Sequence, residues 1–199
     1  MCHAFLSDTR FYQLLFRMDL DLAQQAQSGG CHFCGGTLHG ARYPRKPRGL
    51  RFALDETYET RFSFCCAVDG CRRRHTPASV RFLGRKVYLG ILVVLLTAGQ
   101  QGLSDQRRRE LIDRLAVPPQ TLARWRHWWR EVFPGTRCWR AEQVQFLPPI
   151  PVASLPGELL GRFTGATLPE RVCQLLRLIA PVTTSWSGSV RKGGLPQTM

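Results

Sequence analysis

Apolar residues near the start of the chain recur at helical spacing. Phe11, Leu14, Leu15, Met18 and Leu22 fall three and four apart, which predicts a helix over Asp8 to Gln27 with one apolar stripe. Gly29-Gly30 marks its end. The stripe is expected to pack on the segment that follows, with dimerisation through this helix as the alternative. From Cys31 to about Arg85 the pattern shortens. Arg61-Phe62-Ser63-Phe64 alternates as a half-buried strand, Thr76-Pro77-Ala78-Ser79 reads as a turn, and Val80-Arg81-Phe82-Leu83 as another short strand. The basic stretch Tyr43 to Gly49 holds Pro44 and Pro47 and is incompatible with a central strand.

The apolar run Val87 to Ala98 is followed by Gly99. It falls short of the roughly 20 residues needed to span a bilayer, so it predicts a core helix. Ser104 reads as the N-cap of a helix over Asp105 to Leu115, with Leu111, Ile112 and Leu115 buried. Pro119 suits the first position of a further helix, which runs to about Phe133 and is broken by Pro134-Gly135. Leu122, Trp125, Trp129 and Val132 share its buried face, while Arg124, His127 and Arg130 lie elsewhere. Trp128 and Trp139 read as surface or interface residues. Beyond Arg137 the chain is proline-rich, with short helices expected at Gly157 to Phe163 and Pro169 to Ala180. The Ser-, Gly- and Thr-rich tail from Thr183 is expected to be disordered.

Cysteine spacing then supplies chemistry. Cys31-His-Phe-Cys34 and Cys65-Cys66…Cys71 form two close pairs separated by a longer arm, the spacing of one tetrahedral zinc site. Cys31, Cys34 and Cys71 are the firm candidates. The fourth is Cys66 or Cys65, with Cys66 preferred because strand alternation places it beside Phe62 and Phe64. His32, His39 and His75 are nearby substitutes, read as polar surface or phosphate-contacting residues. The site is expected to be structural, with Zn2+ folding a small unit that lacks its own core. Residues 1–21 show no basic region followed by an apolar core and cleavage site, so a cytoplasmic chain with reduced thiols is expected rather than a disulfide scaffold. Cys2, Cys138 and Cys173 read as isolated, ordinary thiols.

The fold class is therefore α+β, a small β-rich zinc ribbon followed by a helix-turn-helix domain. The expected divisions are a helix over 1–30, the ribbon over 31–85, the helix-turn-helix over 86–133, a Pro-rich segment with short helices over 134–182, and the tail over 183–199. Net charge of +14 in 199 residues draws such a chain to polyanions, and most of that charge lies between Arg42 and Arg130. The second knuckle runs into Arg72-Arg73-Arg74. In the helix pair, Gln120, Thr121 and Arg124 are expected to reach base edges, and Arg107, Arg108, Arg109, Arg126 and Arg130 to meet phosphates.

Together, Cys66…Cys71-Arg-Arg-Arg-His-Thr-Pro-Ala-Ser, an apolar helix, and Leu115-Ala-Val-Pro-Pro-Gln-Thr-Leu-Ala-Arg-Trp are similar to the N-terminal region of bacterial insertion-sequence transposases. The pattern CxxC…YPRKPRG…CRRR…RFLGR is similar to that of mobile-element-associated bacterial proteins. The transposase resemblance covers about residues 31–133 and implies a zinc ribbon followed by a DNA-reading helix-turn-helix. The chain departs from that family where the second knuckle is CxxxxC and where Ala-Val-Pro replaces the usual turn. The family's catalytic domain holds three carboxylates around divalent metal. The segment after Phe133 contains only Glu142, Glu158 and Glu170 and no aspartate, so no catalytic activity is expected. The expected function is a zinc-dependent duplex-DNA binder, a regulator or accessory factor with a possible transposition partner or homo-oligomeric state. An RNA-binding zinc ribbon is the alternative, and no membrane association is expected.

Overall fold

The computed structural model describes residues 4–45, 58–83, 90–98, 105–114 and 117–184, except for the side chains at 4, 5, 107, 108, 111 and 114. The start of the Val87 helix, the Gly99 stop, the Ser104 cap, Leu115 and the segment 46–49 lie outside the described residues, as does the tail from residue 185. The described chain combines helices with two small antiparallel sheets.

Helix α1, Thr9–Ser28, starts at Asp8, whose side chain accepts the Arg10 backbone N–H at 2.9 Å. It carries two faces' worth of partners. Phe11, Tyr12, Leu15 and Met18 join a large core, whereas Ala23, with Phe16, Leu20 and Ala26, lines a smaller one. Leu14, expected in the stripe, is 46% exposed. The stripe instead follows positions 11, 15, 18, 19 and 23, and Leu14 falls about 100° away from its centre at 100° per residue.

The smaller core lies under a three-stranded sheet in the order β1-β4-β5: β1 is Leu38–Gly40, β4 is Phe64–Cys66 and β5 is Arg74–His75. A separate pair joins β2, Tyr43–Pro44, to β3, Thr60–Arg61. The expected strand at Arg61–Phe64 is thus broken between two sheets, and all four residues are buried. Val80–Leu83 is not a regular strand; it is an irregular buried segment. Apart from a single bridge at Phe82, it is held by its backbone N–H groups: those of Val80, Arg81 and Phe82 are satisfied by Asp19 and the Ser79 hydroxyl.

That satisfaction centres on Asp19, which the stripe conceals. Its Oδ1 accepts from the Val80 N–H at 2.6 Å, and its Oδ2 accepts from the Ser79 hydroxyl at 2.5 Å and from Arg81 Nε at 2.8 Å. Both side chains of the Asp19–Arg81 pair are completely buried. Arg81 also donates to the carbonyls of Tyr58 and, at 3.0 Å, of Thr60, and its guanidinium lies 4.9–5.5 Å from the rings of Phe16, Tyr58, Phe62 and Phe82. The Ser79 N–H reaches the Thr183 hydroxyl at 2.8 Å. Thr183, placed by sequence at the start of a disordered tail, is therefore buried and ordered by this bond.

The larger core is helical. Helix α2, Gly90–Thr97, is buried on every side and packs against α3 (Asp105–Arg114), α4 (Pro119–His127) and α7 (Leu168–Ile179). A helix apolar all round belongs at the centre of a core. Between α4 and α7 lie α5, Arg137–Glu142, and α6, Gly157–Arg162. Thr136 caps α5 by accepting the Trp139 N–H, and Thr167 caps α7 by accepting the Glu170 N–H. Residues from 139 to 180 contribute Trp139, Ile150, Leu159, Leu175 and Ile179 to the same core as α2, so packing shows no boundary at residue 134.

After α4 the chain continues as a single π-helical turn, Trp128–Val132. The wider turn moves the buried position from i+3 to i+4 of Trp129. Phe133 is therefore fully buried, its ring 5.0 Å from Trp129, while Val132 turns outward at 47% exposure. Trp139, read from the sequence as a surface or interface residue, is buried and extends this aromatic series at 5.2 Å from Phe133.

Close packing makes one glycine decisive. A Cβ on Gly157, at the start of α6, would lie 2.3 Å from the Ala98 carbonyl oxygen, a backbone atom that cannot swing aside. Gly157→Ala is expected to destabilise the protein by about 1–3 kcal/mol through overpacking. The urea unfolding midpoint checks this.

Candidate metal centre and basic surface

Two knuckles bring four cysteines together. In the first, the Cys31 N–H donates to the Gly36 carbonyl at 2.9 Å, and the Gly35 N–H donates to the Cys31 carbonyl at 2.7 Å. Gly35 takes φ 71°, which closes this turn cheaply. In the second, the Cys71 and Arg72 N–H groups both donate to the Val68 carbonyl, with Gly70 at φ 82°. Pairing of β1 with β4 sets Leu38 opposite Cys66 and joins the knuckles.

The result is a cluster of Cys31, Cys34, Cys66 and Cys71 whose sulfurs all lie within 4.8 Å of one another and could hold a metal ion. Cys34 Sγ is 3.4 Å from Cys66 Sγ, and Cys31 Sγ is 3.7 Å from Cys71 Sγ. These separations are far beyond a disulfide bond. Cys66 is fully buried in the cluster, whereas Cys65 points away and sits 3.4 Å from the Arg72 carbonyl. A Cβ on Gly36 would meet Val68 at 2.3 Å and the sulfurs of Cys34 and Cys66 at 3.4 Å, so the knuckles close around a residue without a side chain.

The electrostatics favour a cation. Burial raises the Cys31 thiol, yet the N–H groups of Phe33 and Cys34 and the His75 ring outweigh it and bring it down to about 6. At Cys66 the Val68 N–H lowers the thiol, but burial and the neighbouring thiols of Cys34, Cys71 and Cys31 push it up to about 12. Cys34 is also raised, against the pull of the Gly36 N–H. A thiolate forms readily at Cys31 while Cys34 and Cys66 resist ionising, a conflict that a bound dication removes.

His75, named from the sequence as a substitute ligand and read as a polar surface or phosphate-contacting residue, is buried, with Nε2 3.2 Å from Cys31 Sγ. Its place on β5 opposite Phe64 turns the ring beneath the sheet toward the sulfurs. His75 follows Cys71 by four positions in the sequence, the signal that links it to the site.

Of the arginines expected to bind nucleic acid, Arg72, Arg73 and Arg74 are exposed beside the cluster. Arg72 donates to Asp69 at 2.6 Å, and Arg73 lies over the ring of Phe33 at 4.0 Å. On α4, Gln120, Arg124 and Arg126 are exposed, as is Arg130 just beyond it. Thr121 faces inward instead, its hydroxyl accepting from Arg124 at 3.0 Å, because it shares the face of Leu122 and Trp125. Helical spacing puts the exposed His127 about 20° from Gln120 on the side away from Arg124, on the same outer face, a position the sequence reading left without a role. Arg109 is exposed, and the side chains of Arg107 and Arg108 lie outside the described residues.

No helix among the described residues is long and apolar enough to cross a membrane. No family model, curated protein or solved structure matches the chain, and its reading therefore rests on the four-cysteine cluster and the basic surfaces beside it.

Proposed function

We propose that this chain is a zinc-dependent, duplex-DNA-binding protein, a transposase-related regulator or accessory factor without catalytic activity. Zinc suits the four thiols: tetrahedral Zn–S bonds of about 2.3 Å place sulfurs about 3.8 Å apart. The two sulfur pairs at 3.4 and 3.7 Å lie close to that spacing. The metal would hold the knuckles, keeping Arg72, Arg73 and Arg74 at fixed positions.

The observation that carries the DNA reading is the outward face of α4. Gln120, Arg124 and His127 share it, while Leu122 and Trp125 anchor the other side in the core. A rigid helix with a polar and cationic outer face fits a major groove. Arg124 offers a guanidinium for guanine, and Arg126 and Arg130 flank it for phosphates.

Fluorescence anisotropy on selected and random duplexes, across a salt series, tests this. Arg124→Ala is expected to weaken the selected duplex by roughly 5- to 150-fold and the random duplex less. Arg126→Ala is expected to weaken both alike and to reduce the salt slope by about one. Equal loss on both duplexes for Arg124→Ala removes the base-reading role, and tighter binding of structured RNA replaces the duplex reading with the RNA one.

A further inference from the structure

The first knuckle carries an aromatic residue, Phe33, whose ring meets the His75 ring at 5.8 Å between centroids but is otherwise not taken into the fold's cores. Phe33 lies between two cysteines of the cluster, is 50% exposed, and belongs to neither hydrophobic core. Exposing half of such a ring forfeits burial that the adjacent smaller core would have supplied. Its immediate surroundings are cationic. The Arg73 guanidinium lies 4.0 Å from the ring centroid, and Arg72 and Arg74 flank Arg73. Tyr43, half-buried on β2, has the guanidiniums of Arg74 and Arg45 each 5.9 Å from its ring. The acidic side chain in contact here, Asp69, is engaged by Arg72 at 2.6 Å.

We propose that Phe33 and Arg73 form a stacking platform for an unpaired base of a nucleic-acid strand, with Arg74 and Arg45 along the path of its phosphates. The chemistry is that of single-strand recognition: a π-face and a guanidinium plane take the base, and neighbouring cations follow the backbone. A duplex offers no splayed base, so this surface is distinct from the outer face of α4 and does not depend on the duplex reading. The knuckle supplies what stacking needs. Gly35 fixes the turn after Phe33, and Cys31 and Cys34 clamp the residue on both sides, so little freedom is lost when a base settles.

The test uses the full chain loaded with zinc and two probes of about 15 nucleotides, oligo-dT and oligo-U, against a blunt duplex. Phe33→Ala is expected to weaken oligonucleotide binding by roughly 5- to 150-fold, with Phe33→Trp restoring it. Blunt-duplex affinity and the zinc content of the variants are expected to stay unchanged, which separates stacking from damage to the metal site. Preference for oligo-dT or oligo-U identifies the strand as DNA or RNA. Unchanged oligonucleotide affinity in Phe33→Ala overturns the proposal, as does failure of the parent chain to bind either oligonucleotide. Oligonucleotide binding that needs Phe33, without any duplex binding, retains the platform and removes the duplex reading.

Discussion

Asp19→Ala is expected to lower stability by about 3–5 kcal/mol, because it leaves Arg81 as an uncompensated charge in the interior. The carboxylate accepts from three groups at once, the Ser79 hydroxyl, the Val80 N–H and Arg81 Nε, and no solvent reaches the pair. In a chain of this size that loss corresponds to a melting temperature lower by roughly 6–20 °C. Differential scanning calorimetry at fixed metal concentration measures it. A double-mutant cycle separates the pair from its surroundings. Arg81→Ala also removes donors from the Tyr58 and Thr60 carbonyls, so it is destabilising by itself. With both charges gone no buried charge is left uncompensated, so the double variant is expected to cost clearly less than the sum of the single ones. A fall of under about 1 kcal/mol for Asp19→Ala would show that water replaces the carboxylate without penalty.

Chelation has the second large effect. Withdrawing the proposed zinc ion with excess chelator at neutral pH is expected to unfold the sheet region, since a four-thiolate site contributes about 10–16 kcal/mol in small metal-dependent units. Among the described residues the smaller core has only Ala23, Leu38, Phe62 and Phe64 as buried apolar residues besides cysteines, too few to hold five short strands alone. Near-UV CD should lose the signals of Phe62 and Phe64, while much of the far-UV helical signal from the larger core should persist. Cys66→Ser is expected to reproduce the effect, whereas Cys65→Ser should leave metal content unchanged, because Cys65 turns away from the cluster. Acid acts in the same direction. Protons compete for the thiolates, so metal affinity falls as pH falls. Retention of the near-UV spectrum after complete metal removal would refute a structural role for the ion.

Local signals in the sequence were strong wherever a residue's partners are close along the chain. The stop at Gly29-Gly30, the first helical position of Pro119 and the two cysteine knuckles all follow from near neighbours. What sequence concealed depends on distant partners. Asp19 interrupts an apolar stripe and reads as solvent-facing until Arg81 is brought to it. Arg61 and Arg81 break the apolar pattern in the same way, yet both are buried. Val132 was misplaced because a π turn changes the period that the stripe assumes. Prolines after residue 134 mark irregular backbone and not the limit of a core: Trp139 and Leu159 lie beyond it and belong to the same core as α2. At the candidate site, spacing found the four thiols but missed the buried place of His75, which is fixed by strand pairing with β4.

The polar hub also bears on how fast the chain reaches its native state. Asp19 waits for donors 60 to 62 residues away, and the Ser79–Thr183 bond spans 104 residues. Closing loops of that length costs entropy before any contact repays it. During synthesis α1 therefore emerges long before Arg81, and Ser79 before the Thr183 hydroxyl that receives its N–H. Thr183→Val should consequently leave early helix formation intact and speed unfolding more than it slows folding, as expected for a bond made late, after the transition state.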